Sequence, residues 1–368
     1  MTELARRTGA VNLGQGVPEL GSPETLLKGV VVAVISGNNQ YPPAAGFPAL
    51  REAVAEHQLR RYGLDYRPQG EVLITTGATE ALAAALLALC DPGDEVLAFD
   101  PCYDAYAADA RLAGARLVAV PLVGDGDGFV LDADALREAV TTRTRVLLLN
   151  TPHNPTGKVF TADELALIAE VAREHSLTVV TDEVYEHLVY NGLDHLPIAS
   201  LPGMRERTLT ISSAGKTFSV TGWKIGWVSG PAPLVAAVAA AKQFLTYASG
   251  TPYQEALAHA LGSVEEWAGT LRETLRHNRD LLSDGLTRAG LRPYRADAGY
   301  FLQADVRPWG YADGVTFCRE LPERAGVVAI PTSAFYQSAD APEWLVRFSF
   351  CKREDSIRTA VEKLLAAC

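Results

Sequence analysis

Cysteine is scarce: the 368 residues hold five, Cys90, Cys102, Cys318, Cys351 and Cys368, an odd number with no C-x-x-C pair. The pattern suits reduced thiols in a cytoplasmic protein and argues against a disulfide framework or a zinc site. Long apolar runs are missing as well. The longest, Ala81–Cys90, is too short to span a bilayer, and Met1–Arg7 has no signal-peptide core, so neither a membrane partner nor export is expected. Positive charge is in deficit, 33 Lys and Arg against 44 Asp and Glu for a formal net charge of −11, which disfavours a diffuse hold on nucleic acid. Any anionic ligand must be gripped locally. There is no internal repeat and no low-complexity run. Hydrophobic residues at 48% and charged residues at 21% are ordinary globular values, and at roughly 150 residues per domain the length suggests two domains.

From Glu71 to Gly230 short β-rich runs alternate with helix-like runs, the pattern of a mostly parallel sheet covered by helices. The strands are expected at Glu71–Thr75, Glu95–Asp100, Arg116–Pro121, Arg145–Asn150, Leu177–Asp182, Thr208–Ser212 and Ile225–Ser229. Apolar-periodic segments between them include Thr79–Cys90, Asp132–Val140 and Thr161–His175, the last opening on Thr161-Ala162-Asp163-Glu164 with an acidic first turn. A long helix, Glu265–Ala289, leads to a tail that reads strand (Tyr300–Val306), helix (Asp313–Ala325), strands (Val327–Ile330, Leu345–Phe350) and helix (Glu354–Ala366). This predicts an arm over 1–30 packed on the smaller domain, a large domain over 31–265 and a small α+β domain over 266–368.

The richest stretch is Ser212–Lys224. Its Gly215-Lys216-Thr217 ends like a P-loop, but G-x-x-x-x-G-K-[ST] needs glycine where Thr210 stands, so a nucleotide-phosphate cradle is not expected. Asn150-Thr151-Pro152-His153-Asn154-Pro155-Thr156-Gly157 sets a rigid turn at the carboxyl end of an apolar strand, where open α/β sheets place ligands. Thr181-Asp182-Glu183-Val184-Tyr185 puts a carboxylate at the end of a strand that is expected to be buried; such a group either caps a helix or partners a cationic ring. The seven histidines show no paired metal spacing, and Glu183, His187 and His195 read as local structure, so no metal site is expected.

Asn154, Asp182, Tyr185, Lys216 and Lys224, at successive spacings of 28, 3, 31 and 8, resemble the class I and II aminotransferases among the fold-type I pyridoxal phosphate (PLP) enzymes. The likeness runs over nearly the whole chain. It is nearest to the subgroup of kynurenine, glutamine and methionine transaminases and N-succinyldiaminopimelate aminotransferase, through Val11–Gly16, Asn39–Pro43, Thr76–Ala81, Asn150–Gly157, Thr181–Tyr185 and Ser213–Trp227. The resemblance implies an α/β PLP-dependent transferase fold of type I, with a mostly parallel seven-stranded sheet in the large domain and a smaller α+β domain.

The same resemblance implies the roles. Lys216 would hold the PLP aldehyde as a Schiff base and carry the proton from the substrate Cα, with burial and Lys224 lowering its pKa. Asp182 would keep the ring nitrogen protonated, Asn154 and Tyr185 would bond the ring oxygen, and Tyr103 would stack on the ring face. Gly77, Ala78 and Thr79, between a strand and a helix, would offer backbone N–H groups to the phosphate, completed by Ser213 and Lys224. Tyr41 would reach that phosphate from a neighbouring subunit, implying a homodimer with shared sites. Arg347, with Asn154 and Gly16, would bind the substrate α-carboxylate, for which a planar guanidinium is suited.

The expected activity is a ping-pong exchange between an L-amino acid and a 2-oxo acid. A neutral, apolar or aromatic donor is expected, since no second arginine can be placed for a side-chain carboxylate. Three departures from the subgroup fall near the substrate: Gly16-Val17-Pro18-Glu19, Cys102, and a short segment ahead of Leu13. A carbon–sulfur β-lyase of the same fold is the alternative. A PLP-sensing transcription regulator would need a DNA-binding segment ahead of the arm, for which about ten residues leave no room.

Overall fold

The computed structural model describes residues 2–124, 127–339 and 341–368. Its largest sheet has eight strands in the order Val72–Thr75, Gly226–Ser229, Thr208–Ser213, Thr178–Asp182, Thr144–Asn150, Glu95–Asp100, Arg116–Gly124, Phe129–Leu131. The five strands from Thr208–Ser213 to Arg116–Gly124 run parallel. Gly226–Ser229 is antiparallel to both of its neighbours. All seven expected strands are present, with ends shifted by three residues or fewer. The eighth, Phe129–Leu131, is a short antiparallel edge on Leu122–Gly124; at three residues it is too short for any period to announce it.

The strands are buried on both faces because their alternate residues feed two cores. In Thr144–Asn150, Val146 and Leu148 join the cluster under helices Gly77–Leu89 and Ala232–Lys242, while Leu147 and Leu149 join the cluster under helix Ala162–Glu174. A near-continuous apolar strand is what a helix layer on each side requires. Helix Ala162–Glu174 starts where the sequence signals it. The Glu164 amide donates to Thr161 Oγ1 at 3.2 Å, and the Thr161 amide donates to Glu164 Oε2 at 2.8 Å, a closed capping box.

The tail builds a second, antiparallel sheet of four strands in the order Arg292–Pro293, Phe301–Asp305, Leu345–Ser349, Ile330–Pro331. The single strand expected over Val327–Ile330 is divided in two. Val327–Val328 pairs in parallel with Val11–Asn12 of the arm, and only Ile330–Pro331 joins the sheet. Arm and tail are tied further by the Glu19 amide on the Cys351 carbonyl at 2.9 Å and by Lys352 Nζ on the Val17 carbonyl at 3.0 Å. The long helix Val264–Arg288 packs on the terminal helix Glu354–Ala367, its leucines Leu271, Leu275, Leu282 and Leu286 entering the small-sheet core at helical spacing. Among the described residues no helix is long and apolar enough to cross a membrane.

Thr161→Ala removes one half of the capping box and is expected to lower stability by about 1 kcal/mol, read as a lower urea midpoint at unchanged m-value. Thr161→Ser is expected to retain most of the stability, because the hydroxyl acceptor remains.

Candidate functional site

Because five strands run parallel, their carboxyl ends open on one edge of the sheet. Asn150, Asp182 and Ser213 are each the last residue of their strand, and Gly77 follows Val72–Thr75 at the same edge. A cavity of about 850 Å3 including its open mouth lies there. It is lined by Gly77, Ala78, Thr79, Tyr103 and Asn154 from one side and by Asp182, Tyr185, Ser213, Lys216 and Lys224 from the other. Ten residues dispersed over 148 positions thus share one hollow.

Asp182 is 5% exposed at the floor. Burial pushes its carboxyl up to about 6, opposed by the Tyr106 hydroxyl, which donates to Oδ2 at 2.7 Å, and by the Val184 amide on Oδ1 at 3.3 Å. The Asn150 side-chain amide fixes the surrounding backbone. Its Nδ2 donates to the Asp182 carbonyl at 2.9 Å, and its Oδ1 accepts from the Asn154 amide at 2.7 Å, which sets the turn against the strand.

Lys216 lies in the short helix Ala214–Thr217 just after strand Thr208–Ser213. Its Nζ stands 5.7 Å from the Tyr185 ring centroid and 5.5 Å from that of Tyr300, two rings that meet edge to face. Burial holds the amine below the usual lysine range, Arg347 and Lys224 adding to the effect and Asp182 opposing it. No ion pair joins Lys216 to Asp182 among the described residues, although both line the same cavity. Burial also raises the Tyr185 phenol, which stays an O–H donor.

At the other end of the cavity, helix Gly77–Leu89 begins at Gly77 with φ +72°, leaving its first N–H groups directed at the hollow. Lys224 Nζ donates to Thr79 Oγ1 at 3.1 Å, so a cation and a hydroxyl meet at a helix N-terminus. That set of donors suits a phosphate. A lowered-pKa amine, a buried carboxylate and an anion cradle together fit PLP.

Arg347, in the middle of strand Leu345–Ser349, is 6% exposed and has no carboxylate partner among the described residues. Its Nη1 donates to Asn154 Oδ1 at 3.1 Å and its Nη2 to the Gly14 carbonyl at 3.3 Å, while Nε has no partner. The guanidinium lies between the rings of Phe301 and Phe335, 3.8 and 4.2 Å from their centroids. Burial pushes it down to about 10, still charged at neutral pH. A buried cation with no carboxylate paired to it and a spare donor suits an anion. Gly16 lies beside it, since a Cβ there would run into Phe301 Cζ. Tyr41 stands apart. It is 84% exposed and meets the Tyr247 ring edge-on, outside the cavity of this chain.

A model of the family described as "Aminotransferase class I and II" matches residues 8–364. The chain belongs to that family. It is a PLP-dependent aminotransferase with the family's α/β fold. A Mycobacterium tuberculosis protein named "Probable N-succinyldiaminopimelate aminotransferase DapC" is 54% identical over 99% of this chain and 94% of its own length. The methionine aminotransferase of Escherichia coli is 38% identical over 99% of this chain and 94% of its own length. Among solved structures, N-succinyldiaminopimelate aminotransferase from M. tuberculosis superposes with a TM-score of 0.98 at 54% identity, covering 100% of this chain and 96% of that one.

Sequence reasoning passed over Tyr106, Asn150, Tyr300, Phe301 and Phe335. Tyr106 had a signal: it stands three residues after Tyr103, a helical turn apart, at the start of helix Ala105–Leu112. The two rings meet edge to face at 5.6 Å. Phe301 and Phe335 had none, because only the small sheet brings them to Arg347.

Tyr106→Phe removes a hydrogen bond to the charged form of Asp182, so the carboxyl stays protonated to higher pH. The acid limb of the kcat/KM profile of this aminotransferase is expected to move upward by about one to two pH units, the equivalent of one charge-assisted hydrogen bond. An unmoved limb would show that Tyr106 does not hold the charge.

Proposed function

We propose that Lys216 is the amine that binds the cofactor and moves the Cα proton, and that Asp182 partners the ring nitrogen. The observation that carries this reading is that a lysine with lowered basicity and a buried carboxylate face one cavity without pairing. When bound, PLP supplies the electron sink that makes the Cα proton removable. In the same reading Asn154 and Tyr185 bond the ring oxygen and Tyr103 covers the ring face. Gly77, Ala78, Thr79, Ser213 and Lys224 take the phosphate, and Arg347, Asn154 and Gly16 take the α-carboxylate. The division into an arm over 1–30, a large domain over 31–265 and a small domain over 266–368 belongs to this proposal, supported by the four-stranded sheet that the tail builds for itself; the core under that sheet also takes in Val184, Tyr185, Leu188 and Tyr190.

For the substrate we infer N-succinyldiaminopimelate, on the 54% identity to the M. tuberculosis protein over 99% of the chain. One buried guanidinium serves the α-carboxylate, and further carboxylates stay in water at the open mouth, where they need no second arginine. A neutral, apolar or aromatic donor is the second reading, favoured by the Phe301 and Phe335 rings around Arg347 and by the likeness to methionine aminotransferase. The test compares kcat/KM for N-succinyldiaminopimelate, methionine and phenylalanine with 2-oxoglutarate as acceptor. A preference of about tenfold or more for the first, ~1.4 kcal/mol in transition-state binding, is expected. A preference for methionine or phenylalanine establishes the second reading, and release of pyruvate from cystathionine without nitrogen transfer establishes a β-lyase. Lys216→Ala is expected to abolish turnover and the visible band of covalently held cofactor.

The homodimer is supported by apolar side chains left in solvent, among them Ile35 at 80%, Tyr41 at 84% and Phe244 at 85% exposure. Sedimentation equilibrium is expected to give twice the chain mass, and Tyr41→Phe to weaken cofactor retention by about tenfold, the worth of one hydrogen bond to a charged group. A monomer with full activity would overturn the shared site. A cytoplasmic location is part of the same reading, supported by five cysteines that are all free.

A further inference from the structure

Behind the turn that carries Lys216, three residues outside the cavity lining meet in the core: His57 of helix Pro48–Tyr62, and Glu186 and His187 beyond strand Thr178–Asp182. Each is 1% exposed. Their ligand atoms lie within 4.8 Å of one another, close enough for a metal cage, but His57 Nε2, both His187 ring nitrogens and both Glu186 oxygens are already hydrogen-bonded. His57 Nε2 and His187 Nε2 share a hydrogen bond of 2.9 Å. Glu186 accepts from the Ser212 hydroxyl at 2.6 Å and from the Tyr62 hydroxyl at 2.7 Å. A metal ion would have to break the N–H···N bond, so the cluster is a hydrogen-bonded chain.

The direction of that chain follows from its free end. Burial pushes His187 down to about 3 and lowers His57 as well, so both rings are neutral, each with one donor and one acceptor nitrogen. His57 Nδ1 is buried without a partner. An orphaned N–H is worse tolerated than an orphaned lone pair, which puts the His57 proton on Nε2, donating to His187. The His187 proton then sits on Nδ1, directed at Thr217 Oγ1 at 3.1 Å.

Thr217 is the residue after Lys216. Its carbonyl accepts from Trp267 Nε1 at 2.9 Å, and the Lys216 carbonyl accepts from the Tyr300 hydroxyl at 2.9 Å. Two donors thus pin the backbone of the turn and a third pins the Thr217 side chain. We propose that the His57–His187 pair is a positioning device for Lys216, setting through Thr217 the orientation from which the amine enters the cavity. Neither imidazole lines the cavity, so neither acts on substrate. The proposal rests on Lys216 being the cofactor-binding amine.

The test uses the dimeric holoenzyme and two pairs of variants. Thr217→Val keeps the volume and removes the acceptor, with Thr217→Ser as its rescue. His57→Leu removes the donor to His187, with His57→Gln offering an N–H in its place. The readouts are kcat, KM and the pH at which the visible band of protein-bound cofactor titrates. Thr217→Val and His57→Leu are expected to lower kcat about tenfold with KM within about twofold. They are also expected to move the titration midpoint by about half a unit or more, and the two rescue variants to restore both readouts. Unchanged kcat and midpoint in Thr217→Val would overturn the proposal, as would a lower melting temperature with both readouts unmoved, which marks a purely structural pair. A Lys216→Ala protein with the wild-type band would instead overturn the assignment of Lys216 itself, and the proposal with it.

Discussion

A buried carboxyl group and a buried amine face one cavity and do not pair. Bringing Asp182 and Lys216 into contact would neutralise both, and in a low-dielectric pocket the attraction is substantial. What keeps them separate is the sheet. Asp182 is the last residue of one parallel strand, and Lys216 enters from the turn after its neighbour. Asp182 is tied instead to Tyr106 and the Val184 amide, and the Lys216 turn to Tyr300 and Trp267. The space left between two groups that do not close on each other is where, in the proposed reading, a cofactor ring and its aldehyde would be held.

The same logic recurs at Arg347. A buried guanidinium with only Asn154, the Gly14 carbonyl and two aromatic faces around it is undercompensated. The small sheet tolerates it because the antiparallel register sets Arg347 across from Gln303 on one side and Ile330 on the other, with no acid opposite. The bond to Asn154 joins this cation to the turn at the large-sheet edge. The groups proposed to bind the ring and the α-carboxylate therefore meet through one side chain, whose backbone Asn150 holds to strand Thr178–Asp182.

Much of the candidate site is legible in the sequence, since most of the residues named from it line one cavity. Lys216, Asp182, Tyr185 and Asn154 stand at ordered spacings, and each belongs to a strand end or the turn after it. Apolar runs fully buried on both faces announce a parallel sheet, and a parallel sheet sends its carboxyl ends to one edge. The capping box at Thr161 and Glu164 is equally local, since cap and partner are one helical turn apart. Missing from that reading were the partners supplied by other elements: Tyr300, Phe301 and Phe335 from the tail, and His57 from a helix 130 residues before His187.

Local pattern determined where strands and helices lie and which residues sit at the sheet's carboxyl edge, because backbone periodicity and chain order suffice for both. Tertiary packing decided which of those groups are charged, which are held, and which are left without a partner. Burial and hydrogen bonds from distant elements set those properties. The arm shows the division well: Val327–Ile330 reads as one strand by composition, but only the approach of Val11–Asn12 splits it into two pairings. A β-run carries no mark of which neighbour will take its hydrogen bonds.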